Sequence, residues 1–303
     1  SNAVTVNLPH TWNNDALGGR ADYFRGTGNY LRYIDMLPEW QGKRIFIRFG
    51  GSNAVTDLLI NGSHAGQHRG GSNAFLFEIT DLVTFSGRNL FWVMVNNSQM
   101  IDILPTAGAD NAYGGIFRSV EIIVTEKNII NPNLNGADGV TVVTTEVGEH
   151  SVRGTVQVDL LTDNVRTSEV EVEFVTPDGR VVARQSGKAR NEGGKSVANV
   201  TFNINRPEFW QATENPALYD VNVRLSVDNV VCDSVTVKTG FRNFTYTSEG
   251  LSLNGKPFMV RGVIMHRDRS LVATAVSADN VADDLDIIEV SSTNEDVVVV
   301  DGP

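Results

Sequence analysis

Gly42-Lys43-Arg44-Ile45-Phe46-Ile47-Arg48-Phe49-Gly50-Gly51 sets the reading of the fold. Within it, Arg44–Phe49 alternates polar and apolar residues with a period near two, the pattern of a half-buried strand, and glycines bound it on both sides. Working outward, the same signature recurs. Ala54–Ile60 is a second strand candidate, and Asn61-Gly62 directly after it is a hairpin signal. Phe75–Ile79, Leu90–Val95 and Val120–Val124 continue the series, with Ser86-Gly87 between two of them. Many short strands with turn residues between them, and no long 3.6-residue period, predict a β-sandwich over residues 4–127.

Asn131–Gly136 reads as a linker, and strands then resume at Gly139–Thr145, Ser151–Leu161, Val170–Val175, Val181–Gln185, Val197–Ile204, Val221–Val227 and Val230–Val237. Pro177-Asp178-Gly179 supplies one of the turns. Seven strands in roughly a hundred residues predict an immunoglobulin-like sandwich over 129–240. With Cys232 the single cysteine, it lacks the disulfide of antibody domains.

The pattern changes over 241–303. Phe258–Ile264 reads as a strand. Ser277 caps a helix whose apolar stripe is Val281, Leu285 and Ile288, and Val297–Val300 reads as a strand buried on both faces. Strand, helix and buried strand make a βαβ unit, the start of a parallel α/β sheet or barrel, in a segment too short for the roughly 250 residues of a (β/α)₈ barrel. The overall expectation is a mainly β chain: two sandwiches followed by a short βαβ stub.

Composition narrows the function classes. With 41% hydrophobic and 20% charged residues, the chain can form a core, which sets it apart from disordered sequences. The formal net charge is −11, and the acidic balance argues against a nucleic-acid partner. No run reaches the roughly 18 apolar residues of a membrane span, so no membrane partner is expected. After Arg269 there is no Lys, Arg or His, and the eight acids of that stretch leave −3 for the rest, so the acidity belongs to one segment. Ser1-Asn2-Ala3 reads as the remnant of a removed tag, so a native leader could have been lost with it. The favoured compartment is the bacterial periplasm or exterior rather than the cytoplasm.

Nucleotide and metal motifs fail on inspection. Gly26-Thr27-Gly28-Asn29-Tyr30-Leu31 begins like a dinucleotide fingerprint, but Leu31 replaces its third glycine. Gly194-Lys195-Ser196 lacks the earlier glycine of a phosphate loop, that position being Ala189. His64 and His68 are four apart, but Gly62, Gly66 and Gly70 place them in a loop, not on a helix face. No metal and no cofactor are expected.

What remains is a series of ordered phrases. They are Leu8-Pro9-His10-Thr11-Trp12-Asn13, Tyr23–Tyr30, Gly42–Gly51, Gly70–Phe75, Gly114-Gly115-Ile116-Phe117-Arg118, Asn215-Pro216-Ala217-Leu218-Tyr219, Gly240-Phe241-Arg242, Leu253–Pro257 and Val260–Asp268. In that order and spacing the chain resembles glycoside hydrolase family 2, and its first phrase resembles the β-galactosidase-like branch. The resemblance implies a jelly-roll sugar-binding-type sandwich, an immunoglobulin-like sandwich and a (β/α)₈ barrel. It implies hydrolysis of β-linked, galactose-like non-reducing ends with retention, by a general acid and a nucleophile about 5–5.5 Å apart. It implies a carbohydrate partner of β-galactoside type.

In such enzymes both carboxylates lie on later barrel strands, so these 303 residues alone are expected to be non-catalytic. Glu295 follows Asn294 as the family acid/base does, but it precedes its strand and comes too early, so no catalytic residue is assigned. Three residues match sugar-binding positions of the family: Asp110, ahead of the Gly-Gly-Ile-Phe-Arg phrase, to accept sugar hydroxyls; His266, to donate to one; and Asp268 beside it. The match thins toward the end: Ile264 stands for an Asn, Glu289 for a Lys, Val298 for an Arg and Asp301 for a His. Two other readings stay open. One is a natural non-catalytic carbohydrate-binding or scaffold protein built on the same sandwich pair; the other is an adhesin-like stack. A homo-oligomer through unpaired edges of the third segment is a further expectation. Trp210 and Tyr219 are expected to pack a domain interface.

Overall fold

A computed structural model of the chain describes residues 3–13, 24–103, 113–132, 136–163, 165–190, 194–260 and 275. The described part is mainly β. Seven strands build the first unit: β1 (Thr27–Asp35), β2 (Arg44–Phe49), β3 (Val55–Ile60), β4 (Ser63–Arg69), β5 (Phe75–Glu78), β6 (Arg88–Asn96) and β7 (Val120–Thr125). They form two antiparallel sheets, ordered β1-β6-β3-β4 and β5-β2-β7. Alternate residues of both sheets meet in one core, including Ile45, Ile47 and Phe49 of β2, Leu58 and Ile60 of β3, and Phe91, Val93 and Val95 of β6. Phe49 and Phe75 stack with centroids 4.9 Å apart at its centre.

The opening stretch forms β2 over the residues read from sequence, but it is not half-buried. Phe46, on the opposite face from Ile45 and Ile47, is only 3% exposed. It packs with Leu76 of β5 against Ile129 and Leu161, which belong to the second unit. Arg44 lies on the same outer face. Its guanidinium donates to Glu78 at 2.9 Å and to the Lys127 carbonyl at 2.9 Å, and it pairs with Asp163. One outer face of the first sandwich is thus covered by the second, which a single strand's periodicity does not reveal.

The second unit consists of β8 (Ile129–Ile130), β9 (Val140–Val147), β10 (Ser151–Leu161), β11 (Thr167–Val175), β12 (Val181–Arg190), β13 (Lys195–Asn205), β14 (Tyr219–Val227) and β15 (Val230–Thr239). One sheet is ordered β13-β10-β8, with β9 also on β10; the other is β12-β11-β14-β15. Val152, Val156, Val158 and Leu160 of β10 face Val170, Val172 and Phe174 of β11 across a continuous apolar core. Tyr219 lies inside this core, 1% exposed, rather than at an interface, and its hydroxyl accepts the Glu208 N–H at 2.7 Å. Burial raises its phenol pKa.

Beyond the second sandwich stand three short strands: β16 (Phe244–Thr247), β17 (Gly250–Leu253) and β18 (Lys256–Pro257). They pair in that order, with Asn254 and Gly255 at φ 51° and 81° in the turn. Trp210 packs edge-on against Phe244 here, and Arg242 stands over the Trp210 ring. Residues 258–260 are not a strand, contrary to expectation; Phe258 donates its N–H to the Leu251 carbonyl at 2.8 Å and packs edge-on against Phe244. The rest of that predicted strand, the helix after Ser277 and Val297–Val300 lie outside the described residues.

A second correction concerns His64 and His68. They sit on strand β4, not in a loop, because the glycines fit specific contacts. A side chain at Gly66 would run into Phe77, 2.6 Å away, and Gly62 (φ 85°) turns the β3–β4 hairpin together with Asn61 (φ 52°).

Candidate functional site

Asp110, His266 and Asp268 lie outside the described residues, as does Glu295. The structure does define the chain on either side of the Asp110 segment. On the leading side, Arg69 of β4 donates to both oxygens of Asp102, at 2.8 and 2.6 Å. These bonds hold the Asp102 carboxyl below the usual carboxylate range. Ile103, 8% exposed, follows in a small cluster with Ala54 and Val55.

On the returning side a set of buried amides takes over. The Tyr113 carbonyl accepts from Asn53 Nδ2 at 2.9 Å, and Gly114 N–H donates to Asn13 Oδ1 at 2.7 Å. Thr11 Oγ1 donates to the Gly114 carbonyl at 2.8 Å. Asn13 Oδ1 also accepts from Asn97 Nδ2 at 3.2 Å, and both amides donate to the Phe24 carbonyl. Asn97 Oδ1 in turn accepts the Gly26 N–H at 2.9 Å. Asn13 and Asn97 are 2% and 1% exposed. Backbone groups that leave a sheet lose their ladder partners and must find others when buried. Here Asn13, Asn53 and Asn97, with Thr11, supply them, and Asn13 and Asn97 in doing so bring residues 13, 24 and 114 to one corner.

The Leu8–Asn13 phrase and the Gly114–Arg118 phrase meet in that corner. His10 N–H donates to the Ile116 carbonyl at 2.7 Å. His10 Nδ1 and the Tyr30 hydroxyl are 2.8 Å apart. Burial lowers the His10 pKa and pushes the Tyr30 phenol up to about 12. A Cβ on Gly114 would stand 2.1 Å from Trp12, and one on Gly115 (φ 132°) 2.4 Å from the His10 carbonyl oxygen. The glycines are required by this close approach. Ile116 enters the core at 2% exposed, while Phe117 is half-buried against Gly51. Sequence reading singled out Asp110 but missed Asn13 and Asn97. The first stood in a quoted phrase with no role attached, and the second carried no signal.

Two family models match the chain: "Glycosyl hydrolases family 2, sugar binding domain" over residues 4–126 and "Glycosyl hydrolases family 2" over residues 139–242. The chain belongs to glycosyl hydrolase family 2. Among family relatives, a β-glucuronidase of Bacteroides fragilis is 36% identical over 95% of this chain and 42% of its own length. A β-galactosidase of Thermoanaerobacter pseudethanolicus is 25% identical over 95% of this chain and 38% of its length. The solved structure of a Bacteroides uniformis β-glucuronidase superposes with a TM-score of 0.87 at 29% identity, covering 94% of this chain and 34% of that one. The chain therefore spans less than half the length of these family 2 relatives, and it aligns with their N-terminal part.

Proposed function

We propose that this chain supplies the N-terminal β-domains of a β-glycosidase that cleaves β-linked galactosides or glucuronides from non-reducing ends with retention. In this reading residues 4–127 are a jelly roll, 129–240 an immunoglobulin-like sandwich and 241–303 the entry to a (β/α)₈ barrel. The observation that carries it is the match of both family models, in order, to the two sandwiches. The sugars come from the names of the relatives, which include both β-glucuronidases and β-galactosidases.

Asp110 accepts hydrogen bonds from sugar hydroxyls in this reading, as an ionised carboxylate does. His266 donates to a hydroxyl, with Asp268 beside it. What supports the first assignment is the position of Asp110 ahead of the Gly114–Arg118 phrase in a chain of this family. The test is an assay on chromogenic β-glucuronide and β-galactoside, run with the product of the whole reading frame that encodes this chain and with residues 1–303 alone. The whole product is expected to turn over one of the two, with Asp110→Ala raising KM, and residues 1–303 to turn over neither. Sugar binding by the whole product with no turnover would replace this reading with that of a carbohydrate-binding protein.

A further inference from the structure

Two hairpins turn on Asn-Gly pairs, Asn61-Gly62 between β3 and β4 and Asn254-Gly255 between β17 and β18. Asn135 of a third such pair lies outside the described residues. Asn-Gly is the dipeptide in which an asparagine most readily loses its amide, because glycine has no side chain to shield its own nitrogen. The glycine nitrogen attacks Cγ of the asparagine, ammonia leaves, and a five-membered imide forms. Water then opens one of the two imide carbonyls, giving aspartate or isoaspartate, in which Cβ has entered the main chain. In sum one water is consumed and one ammonia released. The attack needs a carboxamide free to swing over the following nitrogen.

Neither carboxamide is free in the folded chain. Asn61 accepts the Leu90 N–H at 2.9 Å through Oδ1, and its Nδ2 donates to Asn89 Oδ1 at 2.8 Å and to the Leu82 carbonyl at 3.0 Å. Asn89 is 0% exposed, so this amide is fastened to the interior of the first sandwich. Asn254 accepts the Asn243 N–H at 2.9 Å through Oδ1, and its Nδ2 donates to the Trp210 carbonyl at 2.9 Å. It thereby joins two units. Trp210 precedes β14 of the second sandwich, and Asn243 leads into β16.

The two locks differ in what must open to release them. Asn61 is tied to β6, whose Phe91, Val93 and Val95 belong to the main core of the first sandwich. Asn254 sits in a sheet of four-, four- and two-residue strands, in which all of β16 is exposed and Leu253 is the one buried residue. A short sheet with few buried apolar groups opens locally at far less free-energy cost than a sandwich unfolds.

We propose that Asn254 is a deamidation site gated by the fold, and that its conversion works as a one-way latch on the β16–β18 sheet. The native hydrogen bonds keep the amide intact. Local opening of the sheet frees it for attack by the Gly255 nitrogen, and either product hinders the return. With aspartate, one oxygen still accepts the Asn243 N–H, but the other is a carboxylate oxygen set against the Trp210 carbonyl, acceptor against acceptor. With isoaspartate, the turn is one carbon longer and no longer fits the β17–β18 pairing. A single conversion therefore leaves the sheet loosened from the second sandwich. This inference does not depend on the glycosidase reading.

The test is peptide mapping by mass spectrometry of the 303-residue chain, aged in mildly alkaline buffer across a urea series. Both sites are followed by the mass gain of amide-to-acid conversion. Without urea, Asn254 should convert about tenfold or more slowly than in the unfolded chain. Below the unfolding midpoint its rate should climb while Asn61 stays intact, and above the midpoint both should convert. Hydrogen exchange reads the latch. Asn254→Asp should speed exchange over Phe244–Leu253 severalfold and leave β2, β3 and β6 unchanged. The aged, unmutated chain should show the same loosening in proportion to its conversion, which keeps the test independent of how well the variant folds. Equal rates at Asn254 in folded and unfolded chain overturn the proposal. So does conversion of Asn254 only in step with Asn61, or unaltered exchange over Phe244–Leu253 in either Asn254→Asp or the aged chain.

Discussion

At the scale of single residues, the corner between the Leu8–Asn13 and Gly114–Arg118 phrases is where small changes cost most. Gly115→Ala forces a side chain into a φ that L-residues avoid and into the His10 carbonyl. It should lower stability by about 1–3 kcal/mol or more, seen as a reduced urea midpoint. Asn97→Ala strips the Gly26 N–H of its acceptor at a site 1% exposed, with an expected loss of about 1–3 kcal/mol. His68 gives a pH signature. It stacks on Phe75 with centroids 4.0 Å apart, and its buried Nε2 has no partner among the described residues. Burial lowers its pKa, so the unfolded chain takes up a proton more readily. The resulting stability is present above the unfolded value near 6.5 and drains away as pH falls below it. His68→Phe keeps the stacking and removes the proton. Its stability should therefore fall less steeply than the parent's between about pH 7 and 5, and equal slopes would refute the account. The roles of Asn97 and His68 were not legible in the sequence, because a buried asparagine or an aromatic-stacked histidine looks like any other until the chain has folded around it.

At the scale of elements, legibility followed geometry. Strands with one buried face, such as β3 and β6, announced themselves by alternation, and Asn61-Gly62 marked the turn that follows β3. In the first unit two strands escaped. β4 was hidden by glycines that serve contacts rather than flexibility, and β1 by carrying Leu31 and Tyr33 on its outer face, which blurs any polar-apolar contrast. The β14–β15 hairpin turns through Asp228 and Asn229 at φ 50° and 63°, both outside the usual range for side chains. Asn229→Gly should relieve this and raise the thermal midpoint, by an increment of about 1 kcal/mol or less. The three residues matched to sugar positions were legible only through resemblance to a family, since an Asp in a loop or a His after a strand has no local pattern of its own.

At the scale of the molecule, Arg44 and Phe46 tie the two sandwiches together. Arg44→Ala removes donors to Glu78, Asp163 and the Lys127 carbonyl at once. It should separate a single unfolding transition into two in differential scanning calorimetry, one for each sandwich. The covered outer face of β5-β2-β7 also limits modularity. A fragment cut at residue 126 would be freed of its neighbour but left with Phe46, Leu76 and Ile123 open to water. It should run as aggregates on a sizing column, where a fragment ending at 242 runs as one species. The first sandwich is therefore a poor cassette for fusion or transplantation: the smallest piece that can be moved intact is the pair.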